Sequence, residues 1–182
     1  IPSDQALLRM NRSLLRTLCR CALLLLTTMI AQTAALALPT DTLTLSRGWT
    51  FGEHGRGETH PATVPGVVQQ DLIRLGKLPD PYYRLAEDSI QWVGERDWDY
   101  TCTFSLSPEQ LQRPSIHLLF EGLDTYASVY LNGNKLLEAE NMFVAHEVDI
   151  RPYAQASNRL EVRFRSPLKA ALPLYEAAGI NY

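Results

Sequence analysis

The chain has 182 residues, 46% of them hydrophobic and 20% charged, with 11 Pro and 10 Gly, an ordinary globular composition for one domain. Its net charge is -3 with no long run of one sign, which excludes the basic footprint of a nucleic-acid binder. There is no Walker loop, G-x-S-x-G elbow, H-E-x-x-H or G-x-G-x-x-G fingerprint, and no cofactor or metal is expected.

Met10 is followed by Arg12, Arg16 and Arg20, an apolar run over residues 21–30, and small residues ending Ala35-Leu36-Ala37. A basic stretch, a short apolar stretch and an A-x-A site together make a secretory signal peptide. The run is shorter than the roughly 20 apolar residues of a membrane span, so a membrane anchor is the weaker reading. Residues 1–37 are therefore expected to be upstream residues and signal peptide, with Met10 as initiator, and residues 38–182 one β-sandwich domain. An exported protein would reside in the periplasm or outside a bacterial cell, or in the lysosome of a eukaryote. Cys19 and Cys21 leave with the leader, so Cys102 cannot form an internal disulfide and reads as a small buried hydrophobe.

Leu43-Thr44-Leu45 and Gly48-Trp49-Thr50-Phe51 alternate in polarity and predict a first strand pair. The Gly-, His- and charge-rich residues 52–61 predict a surface loop, with His54 and His60 solvent-exposed. Residues 67–75 predict the one helix: Val68, Leu72 and Leu75 share a face, Pro65 stands at the entry and Gly76 just past the end.

Residues 79–98 predict an irregular loop dense in aromatics and acids: Tyr82, Tyr83, Trp92 and Trp98 among Asp80, Glu87, Asp88, Glu95, Arg96 and Asp97. Aromatic faces among carboxylates suit a sugar, which offers both C–H faces and hydroxyls. The alternative is that the rings cap the end of a sandwich. Two carboxylates could in principle form a glycosidase pair, but loop spacing cannot establish the required separation, and a solvated acidic loop is the better account.

From Trp98 onward the pattern is β. Trp98, Tyr100, Cys102, Phe104 and Leu106 alternate with polar residues, as do Ile116, Leu118 and Phe120 around His117. Ala127, Val129 and Leu131 lead into Asn132-Gly133, a two-residue hairpin turn, with the return strand through Lys135-Leu136-Leu137. Val144, His146, Val148 and Ile150 form another set, with His146 a partly buried strand residue, and Leu160, Val162 and Phe164 the last. Residues 166–182 hold no finished element. The fold class is all-β: an antiparallel jelly-roll or β-sandwich with one short helix. Seven or so strands against about eight in a jelly roll suggest truncation at the C-terminal strand.

A series of motifs runs in order through the chain: Ala62-Thr63-Val64-Pro65-Gly66, Asp71-Leu72, Gly76, Pro79-Asp80-Pro81-Tyr82-Tyr83, Gln91-Trp92-Val93-Gly94-Glu95 and Asp97-Trp98-Asp99-Tyr100. Phe120-Glu121-Gly122-Leu123-Asp124-Thr125-Tyr126-Ala127, Val129-Tyr130-Leu131-Asn132-Gly133, Asn141-Met142-Phe143 and Asn158-Arg159-Leu160 follow. The series resembles the N-terminal sugar-binding domain of β-mannosidases in the second glycoside hydrolase family, over residues 49–166. The Asp-Thr-Tyr and Leu-Asn-Gly pieces recur in that family's galactosidases and glucuronidases. Asp-Pro-Tyr-Tyr and Gln-Trp-Val-Gly-Glu point to the mannosidase branch.

The resemblance implies a galactose-binding-like jelly roll followed, in the parent protein, by an immunoglobulin-like domain and a TIM barrel. Two barrel glutamates would perform retaining hydrolysis of terminal non-reducing β-mannose residues. Neither glutamate has a match in this chain, and the family's Gly-Trp-Asp-Trp-Gly-Pro segment is absent as well. The stretch alone is expected to be inactive, and no catalytic residue is assigned. Expected partners are a β-mannoside substrate and the parent's own downstream domains, with no nucleic acid and no membrane span in the mature chain. Asp80, whose place before Pro81 favours an extended or turn conformation, and Trp92 are the candidate substrate-binding residues. The family often has Asn where Ala86 stands, and no role is carried over to it. A free-standing carbohydrate-binding module and a structural lid are the alternatives.

Overall fold

The computed structural model describes residues 41–83 and 86–179. The described residues from Leu45 onward form one compact unit, and residues 41–44, which fall outside it, hold no helix or strand. The stretch expected to be a signal peptide lies outside the described residues. Among those described, no helix is long and apolar enough to cross a membrane.

Eight strands are described: β1 (Thr50–Glu53), β2 (His60–Pro61), β3 (Trp98–Ser105), β4 (His117–Phe120), β5 (Ala127–Leu131), β6 (Asn134–Ala139), β7 (His146–Asp149) and β8 (Ser157–Phe164). Six form one antiparallel sheet in the order β2-β1-β3-β8-β5-β6, and β4 pairs with β7 in a second. This is the expected antiparallel β-sandwich. β3 and β8 are its centre, paired from Trp98↔Phe164 to Ser105↔Ser157.

Side chains alternate between faces along a strand, so register sorts the sheet into rows. Phe51, Tyr100, Val162 and Val129 lie in one inward row, and all are buried. Asp99, Arg163 and Ser128 lie in an outward row. On that face the Arg163 guanidinium stacks 4.5 Å from the Tyr130 ring centre, while its Nε pairs with Glu161. The alternation read from β3 and β8 is therefore this inside–outside sorting.

Two expectations near the start are corrected. Leu43-Thr44-Leu45 forms no strand; β1 pairs with β2 and β3 instead, and Ala62 N donates to Trp49 O at 2.9 Å. Residues 52–61 therefore close a hairpin. His60 is half-buried, not solvent-exposed: its ring centre lies 6.0 Å from that of Phe51, and its Nε2 is 3.0 Å from Glu58 and 2.7 Å from Lys77 Nζ. His54 is exposed as expected and pairs with Asp99 at 2.7 Å.

The predicted helix is α1 (Val68–Arg74). It ends in a Schellman motif, with Gly76 at φ 68°, Gly76 N donating to Ile73 O and Lys77 N to Leu72 O, both at 2.9 Å. Leu72 is buried and Val68 half-buried, but Leu75 at the cap is exposed. The helix buries Asp71 instead, which is 1% exposed.

It is not the only helix. α2 (Ala86–Ile90) and a 3-10 turn (Gln91–Glu95) occupy the predicted irregular loop, and α3 (Pro108–Leu111) follows β3. A capping box starts α3: Gln110 N donates to Ser107 Oγ at 3.2 Å and Ser107 N to Gln110 Oε1 at 2.8 Å. Finally α4 (Pro167–Ala177) overturns the expectation of no finished element after Ser166. Ser166 caps it and Pro167 takes the first turn, where its missing N–H costs nothing. Pro173 lies inside, and no residue of α4 is fully buried.

Asn132 and Gly133 have φ of 51° and 83°, as the hairpin requires. The Asn132 amide also reaches across the fold. Its Nδ2 donates to Tyr153 O at 2.9 Å and Asn158 Oδ1 at 3.0 Å, and its Oδ1 accepts from Arg159 N at 2.9 Å. His146 is a half-buried strand residue, as read from its alternation.

Cys102 is buried in β3, and burial pushes its thiol pKa up to about 11. The thiolate is the reactive species. Iodoacetamide at pH 8 is therefore expected to leave the Cys102 peptide unmodified in the folded protein and to label it in denaturant, read by mass spectrometry. Labelling at equal rates in both would contradict this burial.

Candidate functional site

The described part of residues 79–97 is built from turns and short helices. Asp80 Oδ1 accepts from Tyr82 N at 3.0 Å and Asp80 O from Tyr83 N at 3.1 Å, closing a turn that the side chain of Asp80 itself holds. Ala86 N donates to Tyr83 O at 3.1 Å, which brings the acidic start of α2 onto that turn. The 3-10 turn follows. Its Val93 is buried, and Val93 O accepts from the Trp98 indole N–H at 3.0 Å.

The four aromatics therefore divide. Trp98 belongs to the core, and Trp92 is half-buried with its ring centre 6.1 Å from that of Trp98, tilted 46°. Tyr82 and Tyr83 are 95% and 63% exposed. The capping reading fits the tryptophans, and the open rings are the tyrosines. Asp80, Glu87, Asp88, Gln91 and Glu95 are exposed beside them in sequence. Asp80 and Trp92, the two residues singled out from the sequence, lie on different elements: the turn at the start of the segment and the 3-10 turn. The first is on the open turn and the second leans on the core.

The segment is fixed from two further sides. Arg96 Nη1 lies 3.5 Å from Glu53 Oε1 on β1, and His54 N donates to Asp97 O at 2.9 Å. On the other side Ser166, 0% exposed, joins the segment to α4. Its Oγ donates to Gly94 O at 2.6 Å, its N donates to Asp97 Oδ1 at 2.7 Å, and the same Oγ accepts from Lys169 N at 3.2 Å. Sequence reasoning missed Ser166, although Ser-Pro ahead of a Leu- and Ala-rich run is a helix-start signature.

Alanine at Ser166 removes a cap and leaves the Gly94 carbonyl without this partner, a loss of about 1–3 kcal/mol. Urea unfolding followed by tryptophan fluorescence should show the fall. An unchanged midpoint would mean that the two hydroxyl bonds, to Gly94 O and from Lys169 N, contribute nothing net.

Chemically, the segment offers an exposed aromatic face and acceptor-only carboxylates. Among the described residues no group of three or more His, Cys, Asp or Glu could hold a metal ion. These features suit contact with a polyhydroxylated ligand and assign no bond-breaking step to this chain.

Comparison with known proteins gives the following. Residues 49–182 match the family described as glycosyl hydrolase 2 galactose-binding domain-like. Beta-mannosidase B of Emericella nidulans is 42% identical over 136 residues, covering 71% of this chain and 16% of that protein. Beta-mannosidase of Bos taurus is 33% identical over 135 residues, covering 74% and 15%. The crystal structure of a beta-D-mannosidase from Dictyoglomus thermophilum superposes with a TM-score of 0.73 at 38% identity, covering 79% of this chain and 17% of that one. A beta-glucuronidase from Ruminococcus gnavus, at 19% identity and a TM-score of 0.52, shares the fold. The chain thus spans 15% to 17% of the length of these mannosidases.

Proposed function

This chain belongs to the glycosyl hydrolase 2 galactose-binding domain-like family, and from that premise we propose that it is the N-terminal part of an exported β-mannosidase. The parent enzyme would release terminal non-reducing β-D-mannose from β-mannosides with retention. The observation that carries the reading is the likeness to mannosidases over most of this chain, 42% identical to one relative and structurally close to another. The family's glucuronidases resemble it at lower identity.

In this reading the sandwich is a sugar-side accessory to a catalytic barrel, joined to it through an immunoglobulin-like domain. Protonation of the leaving oxygen and the covalent glycosyl-enzyme belong to the two barrel glutamates. Residues 38–182 alone are expected to show no turnover of 4-nitrophenyl β-mannoside. Reading the coding DNA past Tyr182 tests the rest: a Trp-Asp-Trp segment and later barrel glutamates are expected. A stop codon at once would favour a free-standing sugar-binding module.

Asp80 and Trp92 are the proposed substrate-side residues. Asp80 is supported by its open carboxylate, and Trp92 by the part of its ring that Trp98 leaves uncovered. Alanine at either in the parent enzyme should raise KM; an unchanged KM and kcat would retire that residue.

A further inference from the structure

We propose that Tyr82 is a sugar-stacking residue, working with Asp80 as one pyranoside contact; this rests on the β-mannosidase reading. The ring of Tyr82 is 95% exposed. Its backbone is nevertheless pinned, because Tyr82 N donates to Asp80 Oδ1 at 3.0 Å and Tyr83 N to Asp80 O at 3.1 Å. One carboxylate oxygen thus shapes the turn. Asp80 is itself exposed, which places a solvent-facing carboxylate two residues from an open aromatic face.

That pairing selects its ligand. A pyranose has a C–H face that stacks on a ring and equatorial hydroxyls that donate to a carboxylate. The side chains that follow are the exposed Tyr83 and, on the first turn of α2, the exposed Glu87 and Asp88. An apolar protein surface would leave these carboxylates desolvated without partners, at a cost. A hydroxylated ring does not, since it brings donors. A pinned turn also means that little conformational freedom is lost when the sugar binds. The contact binds and orients a sugar ring; it moves no proton and breaks no bond.

The test is steady-state kinetics of the full-length enzyme with β-1,4-mannobiose. Tyr82→Ala should raise KM roughly three- to tenfold, the size of a ring-stacking contribution, with kcat nearly unchanged. Tyr82→Phe should restore KM, because the face and not the hydroxyl carries the contact. Asp80→Asn keeps the amide oxygen that shapes the turn and should raise KM less than Asp80→Ala. Thermal melting separates binding from packing. A ring in solvent supports nothing, so Tyr82→Ala should melt with the wild type. A lowered melting temperature means the ring packs against another part of the enzyme, and overturns the proposal. An active wild type with unchanged KM in Tyr82→Ala overturns it too, while the β-mannosidase reading stands. If the wild type hydrolyses no β-mannoside, that reading fails by itself. Saturation-transfer NMR of mannobiose with the wild-type protein and Tyr82→Ala then decides, a signal lost in the variant supporting the contact and no signal in either sinking it.

Discussion

Alanine at Asp71 is expected to cost the domain about 2–4 kcal/mol, because it strands the buried Tyr100 hydroxyl and the part-buried Thr63 N–H and not because it breaks an ion pair. Asp71 is 1% exposed on α1 and accepts from Thr63 N at 3.1 Å and from the Tyr100 hydroxyl at 3.4 Å. Arg74 also pairs with it, but that side chain is 54% exposed and turns to water when the carboxylate goes. The cost therefore falls on the Thr63 N–H and the Tyr100 hydroxyl. Asp71→Asn keeps one acceptor and should lose less.

A pH signature accompanies this. Burial first, and then the neighbouring Asp71 carboxylate, push the Tyr100 pKa above its ordinary value. Folding thus favours the neutral phenol. That contribution is complete below the unfolded pKa of about 10 and is lost as pH rises through the higher folded value. Urea midpoints at pH 8, 10 and 11 should fall with pH in the wild type. In Asp71→Ala, which lacks the second cause, they should fall less. Equal slopes would show that the carboxylate does not act on the phenol.

Legibility in the sequence followed the range of each interaction. β3 and β8 were readable because one face is buried over eight residues, so period 2 runs unbroken. α1 was readable because its stop is local, Gly76 taking the left-handed position directly after the cap. Asp71 stood in the motif series, but its burial was not readable, because its donors lie eight residues upstream and 29 downstream, and an acid on a helix otherwise reads as solvated. α4 was hidden by Pro173, a helix breaker by propensity. The tie from Ser166 to Gly94 and Asp97 spans about 70 residues and leaves no local pattern.

The aromatic segment shows the same limit. Its composition announced exposed rings and acids, and the turn at Asp80 follows from Asp-Pro. Which rings would be open depended on β3. Trp98 opens an inward-facing strand pattern, so it is core, and its indole draws Val93 and Trp92 down with it. Tyr82 and Tyr83 lie on a turn outside every strand and stay exposed.

The second large effect reaches that segment from beneath. Phe51→Ala is expected to cost about 3–5 kcal/mol, the price of a large cavity where the fold cannot collapse. Phe51 is 0% exposed, with ring centres of Tyr100, Trp98 and His60 at 5.6, 5.9 and 6.0 Å. Phe51→Leu keeps most of the volume and should lose less than about 1.5 kcal/mol. The distribution of the damage is as informative as its size. Trp98 holds the 3-10 turn through Val93 O and supports Trp92, so loosening Phe51 frees both indoles. Near-ultraviolet circular dichroism, which reports packed tryptophan, should therefore weaken well before the far-ultraviolet β signal in mild urea. Coincident loss of both signals at the wild-type midpoint would place the support of the aromatic segment elsewhere than in Phe51.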